Sequence, residues 1–361
     1  MNTSQAWVEL SLKTLSCNQK DLAQRVAVSP TQISKWKNGE YMSSDMEKKF
    51  RAIVKIGDEQ HPEFVLWAGS LEDASKWDEL IHRLAENARE SAETGYDTES
   101  LADDMGLLSL FVSSTLLDMG IEPPKVFPLE LDPYLNSDDE DGNEVEAVGE
   151  EAEEVVFQAN DALWDLLNTN PYSKVISDIF DSLNDVYGFY AAYVSGLTHK
   201  LMDGSEPSES VLDLDGNIES GLIDLAACKI EVDEKFAPKI KMFRSRVIKD
   251  YAGWLTTLKD AAFRAGVPLG AELMDMVNKD AGELGHTAEA ESLGFNAARL
   301  HPDIYMNELL VGMRTIHQVL PAILKKLEIN DFKLDSSDLY LDTRARHGAL
   351  FNADEQSDEE E

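Results

Sequence analysis

The chain is poor in cysteine: Cys17 and Cys228 are its only two, far apart in 361 residues. A disulfide framework is excluded, and a reducing cytoplasmic setting is expected. Long apolar runs are also missing. The longest, Leu107–Leu117, is interrupted by serines and a threonine. It is too short to span a bilayer and reads as a buried helix, so no membrane association is expected. Asn2–Leu15 mixes polar residues throughout, so no secretory signal is expected. Neither G-x-x-x-x-G-K nor G-x-G-x-x-G occurs, and neither does H-E-x-x-H. Nothing in the sequence supports an enzyme, and no cofactor is expected.

Positive charge is scarce as well. Thirty-two Lys and Arg face 69 Asp and Glu, a net charge of −37. Such a charge repels nucleic acid at long range, so its distribution matters more than its sum. Residues 1–56 hold nine Lys and Arg against five acids, a local +4, which leaves −41 for the rest. A phosphate-contacting module needs a local excess of that kind.

What is present is mostly helical. The hydrophobic share of 43% is ordinary for a folded chain. Three-and-four apolar spacing predicts helices through residues 60–128, with Trp67, Trp77, Leu80, Ile81 and Leu84, then Leu107, Leu110, Phe111 and Leu116, facing a core. Pro123 and Pro124 stop that run. Further helices are predicted over Val155–Leu167, Val175–Leu201, Phe236–Ala265, Ala271–Val277 and Ile304–Leu327. Asp213–Asn217 predicts the turn of a small hairpin, and Leu334–Leu341 a short strand or an extended docking segment. No βαβ alternation or fixed repeat occurs, so the expected fold is all-α.

The expected domains are a helix-turn-helix head at 1–60, a helical connecting domain at 61–129, an acidic linker or loop at 130–154, a helical body for sensing, dimerisation or partner binding at 155–345 and an acidic disordered tail at 346–361. The linker assignment rests on twelve acids with no Lys or Arg between 130 and 154. Such a run repels itself and stays extended. An acidic run can also imitate DNA, or brake the basic head by competing for it.

One stretch carries specific chemistry: NQKDLAQRVAVSPTQISKWKNG, from Asn18 to Gly39. Asn18 is an N-cap for a helix burying Leu22, Ala23 and Val26. Ser29 caps a second helix, with Pro30 at its first position and Gln32 completing a capping box. Asn38-Gly39 ends it in a left-handed conformation. Ile33, Trp36 and Val28 face inward. Thr31, Gln32, Ser34, Lys35 and Lys37 face outward. Gln pairs with adenine, Lys with guanine, and a Thr methyl meets a thymine methyl.

This stretch resembles the helix-turn-helix family of Cro and the lambdoid phage repressors, the XRE family. The matching positions are Gln19, Leu22-Ala23, Val28-Ser29, Ile33-Ser34, Trp36 and Asn38-Gly39, spaced without a gap. The match covers about 55 of the 361 residues. It implies a five-helix DNA-binding head. It implies a phosphate contact at Gln19, base contacts at Pro30, Thr31, Gln32 and Lys35, and a backbone contact at Asn38. It also implies a homodimer on double-stranded DNA. Two positions depart from the family. Ala27 stands where a turn glycine is usual. Pro30 stands where a polar reader is common, leaving Thr31, Gln32 and Lys35 to carry most base contact.

Weaker signals remain. Lys235, Lys239, Lys241, Arg244, Arg246 and Lys249 form a cluster without an acid. It reads as a second nucleic-acid contact, a dock for the acidic linker, or a solvated face balanced by carboxylates. His199 with Asp203, and His286 with Glu289 and Glu291, come nearest to metal-ligand spacing, but no cysteine pair supports zinc and no metal is expected. The expectation is a sequence-specific DNA-binding transcriptional regulator of bacterial or phage type. The alternative is a protein-interaction component, antitoxin-like or a defence-complex scaffold, whose acidic body binds a partner protein and whose head autoregulates.

Overall fold

A computed structural model of the chain describes residues 2–57, 60–103, 105–135, 164–202, 209–267, 269, 273–295 and 302–329. These residues are all-α, with no strand among them. Two compact units divide the chain, Met1–Tyr305 and Met306–Glu361. Among the described residues no helix is long and apolar enough to cross a membrane.

The first unit begins with α1 (Thr3–Thr14). Its start carries a full capping box, Ser4 N–H donating to Asn2 Oδ1 at 2.8 Å and Asn2 N–H to Gln5 Oε1 at 3.1 Å. Trp7, Val8 and Leu10 sink inward from it. Around it lie α2 (Gln19–Arg25), α3 (Pro30–Lys37), α4 (Ser44–Val54) and α5 (Pro62–Ala68). Gly69, at φ +97°, breaks the chain between α5 and α6 (Leu71–Glu90). Across that break Trp67 meets Trp77 edge-on with ring centroids 5.3 Å apart, and Phe127 closes on Trp77 at 5.0 Å. Among the described residues one buried cluster spans Trp7 to Leu284, and it holds Ile56 and Phe64 on either side of residue 60 and Phe127 and Leu131 on either side of 129.

α7 (Glu99–Ala102) and α8 (Leu108–Met119) follow. Leu108, Val112, Leu116 and Met119 are the core face of α8. Leu110 is half-buried and Phe111 is exposed, so the expected core assignment of that pair is corrected. The helix is apolar on several faces, and its spacing does not select one. Gly120, at φ +88°, ends it before the prolines are reached.

The expected acidic linker does not begin at 130. Leu129–Leu131 makes a 3-10 turn and α9 (Asp132–Leu135) follows. Leu131 and Leu135 are buried there, and Arg83 donates to the carbonyls of Tyr134 and Leu135 at 3.0 and 2.7 Å. Lys76 meets Asp132 at 2.8 Å. The rest of that segment, the acidic tail and Leu334–Leu341 lie outside the described residues.

The body is organised on α10 (Pro171–Phe189), capped by Asn170, whose Oδ1 accepts from Tyr172 N–H at 2.9 Å. Ile176, Ile179, Phe180, Leu183 and Val186 are fully buried in it. A π-helical turn, Tyr190–Ser195, joins it to α11 (Gly196–Met202). Then come α12 (Glu209–Ser220), α13 (Leu222–Lys229), α14 (Ile240–Ala265), α15 (Asp275–Asn278) and α16 (Ala281–Ser292). α12 replaces the hairpin expected at Asp213–Asn217. Leu214 and Ile218, four apart, bury one helical face, and Tyr251 Oη donates to the Ile218 carbonyl at 2.6 Å. α14 starts at Ile240 rather than Phe236 because Pro238 disfavours helix at the residue before it.

The second unit contributes most of α17 (Pro302–Lys326).

Candidate nucleic-acid interface

The α2–α3 pair is set by local chemistry. Asn18 Oδ1 accepts from Lys20 and Asp21 N–H at 2.9 and 3.0 Å, covering two amides that the first turn leaves open. α2 ends at Arg25, and Ala27 takes φ +59°. Val28 N–H then reaches back to the Ala23 carbonyl at 2.9 Å, so the turn closes without glycine. A β-carbon in that conformation costs ~1–2 kcal/mol.

At the start of α3, Ser29 Oγ accepts from Gln32 N–H at 3.2 Å and Pro30 occupies the first turn. Ile33 and Trp36 anchor the helix, at 0% and 4% exposure. Trp36 Nε1 donates to the Tyr41 carbonyl at 3.2 Å, and its ring meets Phe50 edge-on at 5.8 Å. With that face pinned, Ser29, Thr31, Ser34, Lys35, Lys37 and Asn38 stand exposed, while Gln19, Val28 and Gln32 are half-buried. Lys35 carries a counter-charge, with its Nζ 3.2 Å from Glu40 Oε1. A phosphate or base acceptor at Lys35 would compete with that carboxylate. At the C-terminal end Gly39, at φ +90°, takes the left-handed position, while Asn38 stays at φ −92°.

Two exposed residues beside this face escaped the sequence reading. Lys20 lies in the first turn of α2, and Tyr41 follows α3 with 81% of its surface in solvent. A large aromatic directly after a polar turn was the available signal for Tyr41.

The basic cluster at 235–249 is not a uniform cationic face. Arg246 meets Asp118 at 2.7 Å and lies 3.8 Å from Asp224. Lys241 meets Glu234 at 2.8 Å, and Arg244 donates to the Ile230 carbonyl at 2.5 Å. Arg246 ties α14 to α8 and α13, and Lys241 and Arg244 tie it to the segment that precedes it. Lys235, Lys239 and Lys249 are exposed.

Among the described residues no group of three His, Cys, Asp or Glu is placed to hold a metal. His286 lies 3.9 Å from Glu289 with 84% of its side chain exposed. His199 Nδ1 is 2.7 Å from the Ser195 carbonyl, and Asp203 lies outside the described residues. Both cysteines are free, and burial pushes the Cys228 thiol up to about 12.

No family model matches the chain, and no curated protein or solved structure does.

Proposed function

We propose that this chain is a sequence-specific DNA-binding regulator that lays α3 in the major groove. The observation that carries the reading is the two-faced α3. Ile33 and Trp36 fix it from beneath, while Thr31, Ser34, Lys35 and Lys37 stand clear on the other side. The residue types on that side are base-edge and phosphate partners, and the helix start is aimed by two local devices, Ser29 and Pro30. The resemblance of Asn18–Gly39 to the Cro and lambdoid repressor family points the same way.

A head of +4 on a remainder of −41 binds DNA weakly alone, so two heads on paired half-sites are part of the proposal. The test is immunoprecipitation of the tagged protein with sequencing of bound DNA and mass spectrometry of bound protein. A small set of sharp peaks sharing one motif is expected. No peaks, with one stoichiometric protein partner, would replace this reading with the protein-interaction one.

A further inference from the structure

A cleft of about 440 Å³ lies between the α7–α8 corner and the α12–α13 corner. That volume falls within the roughly 300–1,000 Å³ of small-molecule sites. Met105, Leu107, Phe111 and Ile223 supply its apolar surface. Phe111 and Met105 are 38% and 81% exposed, so they offer that surface to solvent rather than to the core. One wall lacks a side chain. Gly216 lies inside α12, three and four positions before Glu219 and Ser220, and all three line the cleft. Residues at that spacing share a helix face. A β-carbon on Gly216 would meet nothing within 4 Å, so no close packing demands glycine there. Glycine inside a helix costs stability, and what it leaves here is room in the cleft.

Charge selects the occupant. Glu99 of α7 and Glu219 of α12 both line the cleft, and among the described residues no Lys, Arg or His does. Asp103 reaches it too, but its carboxylate is engaged by His82 and the first amides of α8. Among the described residues no cation is salt-bridged to Glu99 or Glu219. Partial burial, then the charges of Asp215 and Glu99, hold the Glu219 carboxyl above its ordinary range, against the pull of His199. A cation brought to this point relieves that repulsion. An anion is repelled, and a neutral ligand leaves both carboxylates unmatched. The net charge of −37 concentrates cations near the surface. An apolar wall with an exposed aromatic ring suits the rest of such a ligand, since a ring face also attracts a cation.

We propose that this cleft binds a small organic cation, an ammonium group held by Glu99 and Glu219 with an aromatic or alkyl body laid against Phe111 and Met105. The proposal stands on the cleft and does not rest on the DNA reading.

The test uses the full chain without DNA, titrated by calorimetry with three soluble probes. Phenethylammonium is expected to bind saturably. It should bind about tenfold more tightly than phenethyl alcohol, which lacks the charge, and than methylammonium, which lacks the ring. Glu99→Gln with Glu219→Gln is expected to weaken it about tenfold, with unchanged far-ultraviolet dichroism. Gly216→Leu adds a helix-favouring side chain where there is space for one, and is expected to weaken binding at least as much. Glu86→Gln, an exposed acid outside the cleft, should leave the affinity unchanged. No saturable binding, or equal affinity for phenethyl alcohol, would overturn the proposal. An affinity unchanged in either the double variant or Gly216→Leu would overturn it in favour of another site. An equal loss in Glu86→Gln would overturn it by reducing the effect to the chain's overall charge.

Discussion

The imidazole of His82 reaches the Asp103 carboxylate at 2.9 Å, and the same carboxylate caps α8 by accepting from Leu107 and Leu108 N–H at 2.7 and 2.9 Å. Asp103 sits at φ +52° to do this. The Asp103 hydrogen bond is the main force raising His82 to about 9, against the opposing effect of burial. Burial pushes Asp103 upward, but His82 and the two amides outweigh it and hold the carboxyl below its ordinary range.

The sign for stability follows. A histidine raised from 6.5 to about 9 contributes fully below pH 6.5, and its contribution is lost as pH rises through 9. Asp103 contributes above its ordinary value and loses that contribution in acid. Because 42% of the His82 side chain is exposed, the pair is worth roughly 1 kcal/mol after screening. His82→Ala should lower urea-unfolding stability by about that much at pH 6. It should also flatten the decline between pH 6.5 and 9. An unchanged decline would assign it to other groups.

Ala27 holds a left-handed conformation at φ +59°. Ala27→Gly relieves about 1–2 kcal/mol of strain and gives back about 0.4–1 kcal/mol through the freer unfolded chain. A gain of roughly 0.5–1 kcal/mol in stability is expected, with the outward face of α3 unchanged. Thermal unfolding measures it, and a loss of stability would mean that the Ala27 methyl contributes contacts that offset the strain.

Gly188 lies within α10, and a β-carbon there would stand 2.8 Å from Thr94 Cβ. Thr94 is 2% exposed and cannot swing away. Gly188→Ala should destabilise by ~1–3 kcal/mol from overpacking, more than the ~1 kcal/mol that alanine returns in helix propensity. Combining it with Thr94→Gly should recover part of the overpacking loss relative to the two changes summed. Strict additivity in a double-mutant cycle would separate the two sites.

On the α3 face, Gln32→Ala should relax preference at one base pair by ~1–3 kcal/mol, read by competition binding with base-substituted operators. Lys37→Ala should weaken every sequence alike and reduce the log–log salt slope by about 1. If both variants retain DNA as the parent does, α3 is not the reading helix.

How much of this was legible in the sequence depended on range. Asn18, Ser29 and Pro30 act within three residues of themselves, so the start of each helix in the α2–α3 pair could be read directly. The inward face of Ile33 and Trp36 followed from spacing alone. Asp213–Asn217 misled because Leu212, Leu214 and Ile218 satisfy a period of two as well as a four-residue step. Only burial against Tyr251 selects the helix. Residues 130–135 were hidden by their charge count. Leu135 and Asp132 are held by Arg83 and Lys76, some 50 positions earlier, and no local pattern announces such partners. Arg246 and Asp118 stand still farther apart, 128 positions, which is why the basic cluster looked more available than it is.

The shared core that the described residues form from Trp7 to Leu284 has a mechanical consequence. The Trp67–Trp77 contact joins the elements beneath α3 to α6, and α6 packs on α10. A close-packed interior transmits strain rather than absorbing it. A tilt imposed on α10 or α16 is therefore expected to pass toward α3 through these packed side chains rather than be absorbed between them.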